Sequence, residues 1–236
     1  MRARVRYSKF GKVRFLSHRD LARIIERAVR RARLPVSYSQ GFSPHARLHF
    51  GLALSTGYES HAEYFDVDFD DDRDGMVPIT ELAGVLDAGL PVGVTATAAR
   101  ELEPGTPSLQ DAVTSSIWRF DLPAADADEV VARAAQLLAA DELPLELVRK
   151  GKQVCEDLRP LLLDLVAERT PGGALITAEL GTKPRSVRPA ELLAAMRLDV
   201  EQARVIRMHQ WITSDGERRE PIELDAPSPH AQARAS

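Results

Sequence analysis

Histidine and tyrosine side chains with the potential for acid–base chemistry concentrate in one stretch of the sequence. Four of the six histidines, His18, His45, His49 and His61, lie within 44 residues. Imidazole and phenol groups act as general acids and bases on a ribose 2′-hydroxyl, so His18, Tyr38 and His45 are candidates for metal-independent RNA cleavage. The same groups can bind RNA without chemistry, and both interpretations stay open.

The segment from residue 35 to residue 45 is polar and rich in Pro, Ser and Gly, which predicts a loop. An ordered loop of this length is usually functional. We expect Tyr38, Phe42 and His45 to stack on bases, with hydrogen bonds from Gln40 and the neighbouring serines. A loop that only closes a sheet is the alternative interpretation.

Metal or cofactor binding is not expected from this chain. His45 and His49 are four residues apart, but they fall at a predicted loop–strand junction rather than on a helix, where this spacing would place both on one face. Cys155 is the single cysteine, which excludes an internal disulfide, a multi-cysteine zinc site and a cysteine-ligated iron–sulfur cluster. We therefore predict no metal and no cofactor.

One predicted helix, from a capping position at Ser17 to about Arg33, divides into two faces. Its apolar residues recur at the i, i+3, i+4 and i+7 spacing of a core-facing stripe. The opposite face is almost purely cationic and contains Arg19, Arg23, Arg27, Arg30, Arg31 and Arg33. Arginine forms bidentate bonds with phosphate, and counterion release adds affinity. This face predicts nucleic-acid binding, with a solvated Arg-rich face or a protein-docking surface as alternatives.

The charge is distributed unevenly along the chain. Residues 1–50 hold 13 lysines and arginines against two acidic residues, a local net charge of +11 in a chain whose formal net charge is −4. The first strand and turn add their cations to this block: Arg2, Arg4, Arg6, Lys9, Lys12 and Arg14. A second basic turn, formed by Arg149, Lys150 and Lys152, is expected to extend an RNA path. Such asymmetry indicates a nucleic-acid partner.

The succession of patterns predicts an α+β fold of two tandem ferredoxin-like (β-α-β-β-α-β) units. The predicted boundaries are a basic N-terminal unit at 1–101, a linker at 102–114, a second unit at 115–213 and a disordered tail at 214–236. No apolar run is long enough for a membrane-spanning helix, and the basic N-terminus lacks the apolar core of a signal peptide. A cytoplasmic protein without a membrane partner is expected.

Several motifs resemble a known family. They are Phe15-Leu16-Ser17-His18, Tyr38-Ser39-x-Gly41-Phe42-x-Pro44-His45 and Arg149-Lys150-Gly151-Lys152. The chain resembles the radical-SAM-linked protein family, a bacterial domain of unknown function that occurs alone or fused to a radical SAM enzyme. With one cysteine it cannot supply a three-cysteine cluster motif, so the resemblance is to the stand-alone form. It implies a neighbouring enzyme and no radical chemistry in this chain.

These observations lead to three functional hypotheses. The first is an RNA-binding accessory module that presents tRNA or rRNA to a separate modifying or processing enzyme. A radical SAM enzyme is one candidate for that separate enzyme. The second is a metal-independent endoribonuclease that uses His18 and His45. The third is a protein-interaction adaptor that docks through the Arg-rich helix. Whether the chain is an enzyme stays open, although the absence of a radical SAM motif favours a non-catalytic role.

Overall fold

The structure, a computed structural model, describes residues 1–42, 44–70, 74–149, 151–199 and 203–222. Its elements are, in chain order, β1 (Arg2–Lys9), α1 (His18–Arg31), β2 (Leu48–Phe50), β3 (Glu59–Asp68), α2 (Ile79–Asp87), β4 (Val94–Glu101), α3 (Leu109–Ala112), β5 (Ser115–Pro123), α4 (Ala127–Ala139), β6 (Pro144–Arg149), β7 (Lys152–Asp157), β8 (Leu162–Thr170), β9 (Gly173–Gly181), α5 (Pro189–Ala195), β10 (Arg204–Ser214) and β11 (Glu217–Arg219). Short 3-10 turns lie at Gly11–Phe15 and Arg159–Leu161. The strands form a large, mostly antiparallel sheet with few helices, which confirms the predicted α+β class. Among the described helices, none is long and apolar enough to span a membrane.

The first structural unit comprises the described residues of 1–53 and 63–112, with residues 213–222. Its strands follow the order β4-β1-β3, and β2 also pairs with β3. β1 is antiparallel to β4, and β2 is antiparallel to β3. One face of β1 supplies Val5 and Tyr7 to a buried apolar cluster, which α1 completes with Leu21 and Ile25. The sheet face under α1 is therefore the core of this unit.

The second structural unit comprises residues 54–62 and 113–212. Its strand order is β10-β5-β9-β8, and each neighbouring pair is antiparallel. The start of β3 pairs with β10 in parallel. Alternate residues of β5, Trp118, Phe120 and Leu122, enter the apolar core, as the period of two in a strand requires. The β6–β7 hairpin is a separate two-stranded sheet.

The units differ from the contiguous boundaries predicted from the sequence because β3 contributes to both. The predicted linker holds the short helix α3, whose Leu109 is buried. Of the predicted tail, residues 214–222 are described: they end β10, form β11 and bury Pro221 and Ile222. Residues 223–236 lie outside the described residues, so the prediction of disorder is untested there.

Candidate nucleic-acid interface

Helix α1 starts with the cap that its sequence spacing predicts. The Oγ of Ser17 accepts a hydrogen bond from the main-chain N–H of Asp20 at 3.2 Å and donates one to the Asp20 carboxylate at 2.7 Å. The helix ends at Arg31, two residues before the predicted end, because Arg33 adopts a φ of 54°. This left-handed conformation terminates helices.

The two faces of α1 are separated as the periodicity predicts. Leu21, Ile25, Ala28 and Val29 are buried. The arginines at positions 19, 23, 27, 30 and 31 are exposed. Arg19, Arg23, Arg27 and Arg30 follow one another at steps of three or four residues, so they occupy neighbouring turns of one helix face, and Arg31 lies at its edge. The buried apolar residues hold that face outward to solvent.

The guanidinium groups of this exposed row have few partners in the described part of the chain. Arg19, Arg30 and Arg31 have no carboxylate partner there. Arg23 lies 3.7 Å from Asp20, and Arg27 donates to the main-chain carbonyl of Arg23 at 3.2 Å. The positive charge of α1 is therefore largely unneutralised within these residues.

Arginines of the second unit provide a contrast. Each of the following has a carboxylate within 2.7 Å: Arg119 with Asp121, Arg169 with Asp128, and Arg204 with Glu59. Other exposed arginines of the described chain, Arg47, Arg188 and Arg197, have no carboxylate partner either, so the row on α1 is distinguished by its concentration on one helix. Because most of its arginines have no carboxylate partner among the described residues, the row on α1 creates a local positive potential that attracts polyanions.

Two strand arginines that the sequence analysis added to the basic surface are buried instead. Arg4 makes a bidentate pair with Asp66, with Nε to Oδ1 at 2.7 Å and Nη2 to Oδ2 at 3.1 Å. Arg2 also reaches Asp66 at 2.7 Å, and Arg6 lies 3.3 Å from Glu220. These charges are structural, so the exposed basic surface is smaller than the local charge of +11 indicates.

Lys9 is buried at the end of β1 and supports the turn that leads into α1. Its Nζ donates to the carbonyl oxygens of Arg14 and Leu16, at 3.2 and 3.1 Å. Burial lowers the pKa of the Lys9 amine, and the nearby Glu63 carboxylate partly opposes this effect. The amine therefore fixes main chain rather than contributing charge to the surface.

We expect Lys9→Met to lower the free energy of unfolding by about 1–3 kcal/mol, because two turn carbonyls lose their buried donor. The pKa of Lys9 is lower in the folded chain than in the unfolded chain. The unfolded chain therefore binds more protons between the two pKa values, and the contribution of Lys9 to stability rises with pH in that range. Urea unfolding of both proteins at neutral pH and near pH 9 measures this. If the difference in free energy of unfolding between the wild type and Lys9→Met does not change with pH, the lowered pKa of Lys9 is contradicted. If the two free energies are equal, Lys9 does not support the turn.

The loop from Ser37 to Arg47 is held by main-chain pairing at its base. Tyr38 and Ala46 form a β-bridge, and the Arg47 N–H donates to the Ser37 carbonyl at 2.9 Å. Phe42 is fully exposed near the tip. Ser43 lies outside the described residues. The loop thus presents an aromatic ring to solvent from a paired base.

An open groove of about 470 Å³ lies beside this loop. It is lined by residues 37–40 with Pro44, Arg47 and Asp70. Tyr38 and Gln40 are predicted from the sequence to contact RNA, whereas Arg47 and Asp70 are not among the predicted residues. Asp70 reaches the loop because its N–H donates to the Pro35 carbonyl at 2.8 Å, next to a Val36–Phe69 bridge. The groove thus combines an aromatic ring, an amide, a cation and a carboxylate.

The candidate catalytic histidines have separate surroundings. The His18 ring contacts Phe50, the last residue of β2, edge to face at 5.1 Å between centroids. The His45 N–H donates to the Ser39 hydroxyl at 3.0 Å. Positions 45 and 50 are five residues apart, which is about 16 Å of main chain when the chain is extended as in a strand. Acid–base catalysis needs both groups at one ribose, so this arrangement supports binding better than cleavage by His18 and His45.

His49 and His61 do not form a metal centre with these two in the described part of the chain. His49 Nε2 lies 3.2 Å from Asp68 Oδ2, and His61 is exposed. Among the described residues, no group of three or more His, Cys, Asp or Glu side chains is placed to hold a metal ion.

The predicted basic turn in the second unit is the tip of the β6–β7 hairpin. Gly151 has a φ of 77°, and the adjacent Lys152 is exposed. Lys150 lies outside the described residues, and only the main chain of Arg149 is described. At the hairpin base, the Asp157 carboxylate accepts hydrogen bonds from Leu143 N–H and Arg159 N–H, at 2.7 and 2.9 Å, and these lower its pKa.

Fold and interface together define an α+β chain of two units, with a partly unpaired arginine row beside an aromatic loop. The chain belongs to the family described as "Uncharacterized protein conserved in bacteria (DUF2344)", whose model matches residues 2–189. No curated protein matches the chain. The family description gives no activity, and the link to radical SAM enzymes stays a prediction.

Proposed function

We propose that this chain is an RNA-binding module that presents RNA to a separate modifying or processing enzyme. The observation that carries the proposal is the row of exposed arginines on α1, most of which have no carboxylate partner among the described residues. RNA supplies a continuous series of phosphates, and each arginine that neutralises one releases counterions. The buried apolar stripe of α1 fixes the row on the core, so its charges are pre-positioned.

The arginine row has the dimensions of an extended contact. From Arg19 to Arg31 it rises about 18 Å along the helix axis. Since Phe50 at the end of β2 contacts His18 at the start of α1, the loop that joins the other ends of these elements lies near the C-terminal end of the row. A strand of RNA along the row would therefore reach the loop with Tyr38, Phe42 and His45.

We further propose that each unit is ferredoxin-like. The orders β4-β1-β3-β2 and β10-β5-β9-β8 support this, as does a β-α-β-β-α-β succession in each unit, with the β6–β7 hairpin inserted in the second. The hairpin tip, with Lys152 and its basic neighbours in sequence, would give the RNA a second contact. The identity of the enzyme partner as a radical SAM enzyme rests on the family resemblance alone.

The direct test is purification of the full chain from its host at low salt. We expect a raised 260/280 nm absorbance ratio, release of the RNA at high salt, and one RNA class on sequencing. A protein-only spectrum, with protein partners that survive nuclease treatment, would favour the adaptor hypothesis instead. Prolonged incubation of the released RNA with the chain also tests cleavage, which we do not expect.

Replacing Phe42 by alanine should weaken binding to a U-rich single-stranded RNA about 10-fold, because a stacked base contributes roughly 1–3 kcal/mol. Stability should not change, since the ring is fully exposed. Fluorescence anisotropy with a labelled oligonucleotide measures the affinity. Phe15→Ala is the matched control, because Phe15 is also exposed but the Arg14 guanidinium covers its ring at 4.6 Å. An equal loss in both variants, or none in Phe42→Ala, would contradict a stacking role for the loop.

A further inference from the structure

We propose that the sheet of the first unit holds a second RNA-binding site, the covered site, in which Glu220 takes the place of a phosphate. The proposal rests on the RNA function proposed above and adds a further site and a way of regulating it. The covered site consists of Arg6 on β1 and Tyr64 on β3. The C-terminal segment, residues 217–222, carries the carboxylate that closes it.

Arg6 and Tyr64 lie on the face of the sheet opposite the apolar core of the unit. β1 and β3 are neighbours, and Tyr7 packs against Phe65 inside that core, with 5.9 Å between the ring centroids. Because successive side chains of a strand point to opposite faces, Arg6 and Tyr64 share the other face. The guanidinium carbon of Arg6 lies 6.0 Å from the centroid of the Tyr64 ring. A cation and an aromatic ring are therefore adjacent, and these two groups bind the backbone and the bases of single-stranded RNA.

The hydrogen-bond donors of this pair are incompletely matched while Glu220 is in place. Nη1 of Arg6 lies 3.3 Å from Oε2 of Glu220, but the contact lacks hydrogen-bond geometry. Among the described residues, Nε and Nη1 of Arg6 and the Tyr64 hydroxyl have no hydrogen-bond partner, although Arg6 and Tyr64 are only 4% and 2% exposed. Buried donors without partners are destabilising. Glu220 therefore fits Arg6 less well than Asp66 fits Arg4, which makes a bidentate pair.

A nucleotide of RNA offers this site more than the carboxylate does. It brings a phosphate that accepts bidentate hydrogen bonds from a guanidinium and a base that stacks on an aromatic ring, whereas Glu220 supplies only the negative charge. Burial raises the pKa of the Tyr64 hydroxyl, which therefore stays protonated and can donate to a base or to a phosphate oxygen. The chemistry of the covered site thus favours RNA as the competitor of Glu220.

The C-terminal segment is held by few residues. The chain reverses before it through Asp215 and Gly216, which both have left-handed conformations with φ of 51° and 82°. The three residues of β11 are exposed, and Glu220 is followed by the buried Pro221 and Ile222. A short arm with so few buried side chains opens at a lower free energy than the core strands. Its opening at the turn removes the carboxylate from Arg6 and leaves β1 and β3 paired with each other.

Fluorescence anisotropy with a labelled U-rich single-stranded RNA tests the proposal on the full chain. Glu220→Gln should bind about 10-fold more tightly than the wild type, because the segment loses its ion pair and RNA gains the covered site. The slope of log K against log salt should become steeper by about 0.7, for one added phosphate contact. Glu217→Gln is the matched control: it removes the same charge from an exposed position of the same segment and should stay within about twofold of the wild type.

Two further measurements assign the gain to Arg6 and to opening of the segment. The double variant Arg6→Met/Glu220→Gln should bind no more tightly than the wild type, and a gain that persists without Arg6 overturns the covered site. Hydrogen exchange of the wild type reports the opening without any substitution. RNA should speed the exchange of main-chain amides in residues 217–222, and exchange that RNA leaves unchanged or slows overturns the proposed displacement.

The outcomes separate this proposal from the function on which it rests. RNA binding that depends on α1 but is equal in the wild type and Glu220→Gln overturns the covered site alone. Binding that appears in Glu220→Gln but not in the wild type supports the covered site and overturns the arginine row as the interface. If neither protein binds RNA, the RNA function and the covered site are both overturned.

Discussion

Reversing two charges on α1, in the double variant Arg23→Glu/Arg30→Glu, should weaken RNA binding about 100-fold near 0.1 M salt. Both side chains are exposed, on the opposite side of the helix from its buried apolar stripe. The fold therefore has no need of their charge. Each substitution removes one phosphate contact and puts a like charge against the RNA backbone. Losing two contacts should also make the dependence of log K on log salt shallower by about 1.4 for a single strand.

The control for this variant changes the same total charge elsewhere. Arg100→Glu/Arg169→Glu alters two exposed arginines outside α1, on β4 and β8. If general electrostatic attraction governs binding, both double variants lose affinity equally. If the α1 row is the interface, the control keeps its affinity within about threefold while the α1 variant loses it. If both double variants lose RNA affinity equally, or if the slope of log K against log salt is unchanged in the α1 variant, helix α1 is not part of the RNA interface. Unfolding curves of both variants exclude a folding defect.

The sequence predicts helix α1, its N-terminal cap and its two faces well because their determinants are local. A serine three residues before an aspartate, and a repeat of apolar residues at the helical period, are visible within 20 residues. The structure confirms the cap at Ser17 and the buried stripe. The predicted helix end was two residues late, because no local signal marks Arg33 for a left-handed conformation that glycine normally adopts.

The sequence does not predict whether the arginines of β1 are buried or exposed. Alternation in β1 indicates two faces, but whether the second face is solvated depends on what covers it. The partner of Arg4 is Asp66, 62 positions along the chain, and the partner of Arg6 is Glu220 in the segment predicted to be disordered. Charge counting treats such residues as surface, whereas long-range pairing buries them.

The groove beside the loop shows the same limit of sequence-based prediction at a candidate site. Tyr38 and Gln40 stand out in a polar loop and were identified from composition. Asp70 lies within a run of six aspartates between residues 66 and 74, a composition typical of a solvated turn, and the pairing of Val36 with Phe69 brings it to the loop. The apolar residues Val36 and Phe69 mark the two segments that pair, but no spacing rule in the sequence predicts the pairing of segments more than 30 residues apart.

Asp66→Asn should lower the free energy of unfolding by about 3–5 kcal/mol, since it leaves a buried guanidinium without its counter-charge. The side chains of Arg4 and Asp66 are 2% and 1% exposed, so water cannot replace the lost pair. Arg2 contacts the same carboxylate but is partly exposed and can turn to solvent. Urea unfolding followed by circular dichroism measures the change.

Asp68→Asn is the matched control, because the same substitution two residues away removes a more exposed carboxylate. Its ion pairs with Arg2, at 3.8 Å, and His49, at 3.2 Å, should be worth less than about 1 kcal/mol. The double variant Arg4→Met/Asp66→Leu should recover most of the stability, since it removes both buried charges. If β1 is structural rather than part of the interface, that variant binds RNA as the wild type does. If the folded double variant binds RNA more weakly than the wild type, Arg4 contributes to RNA binding after all.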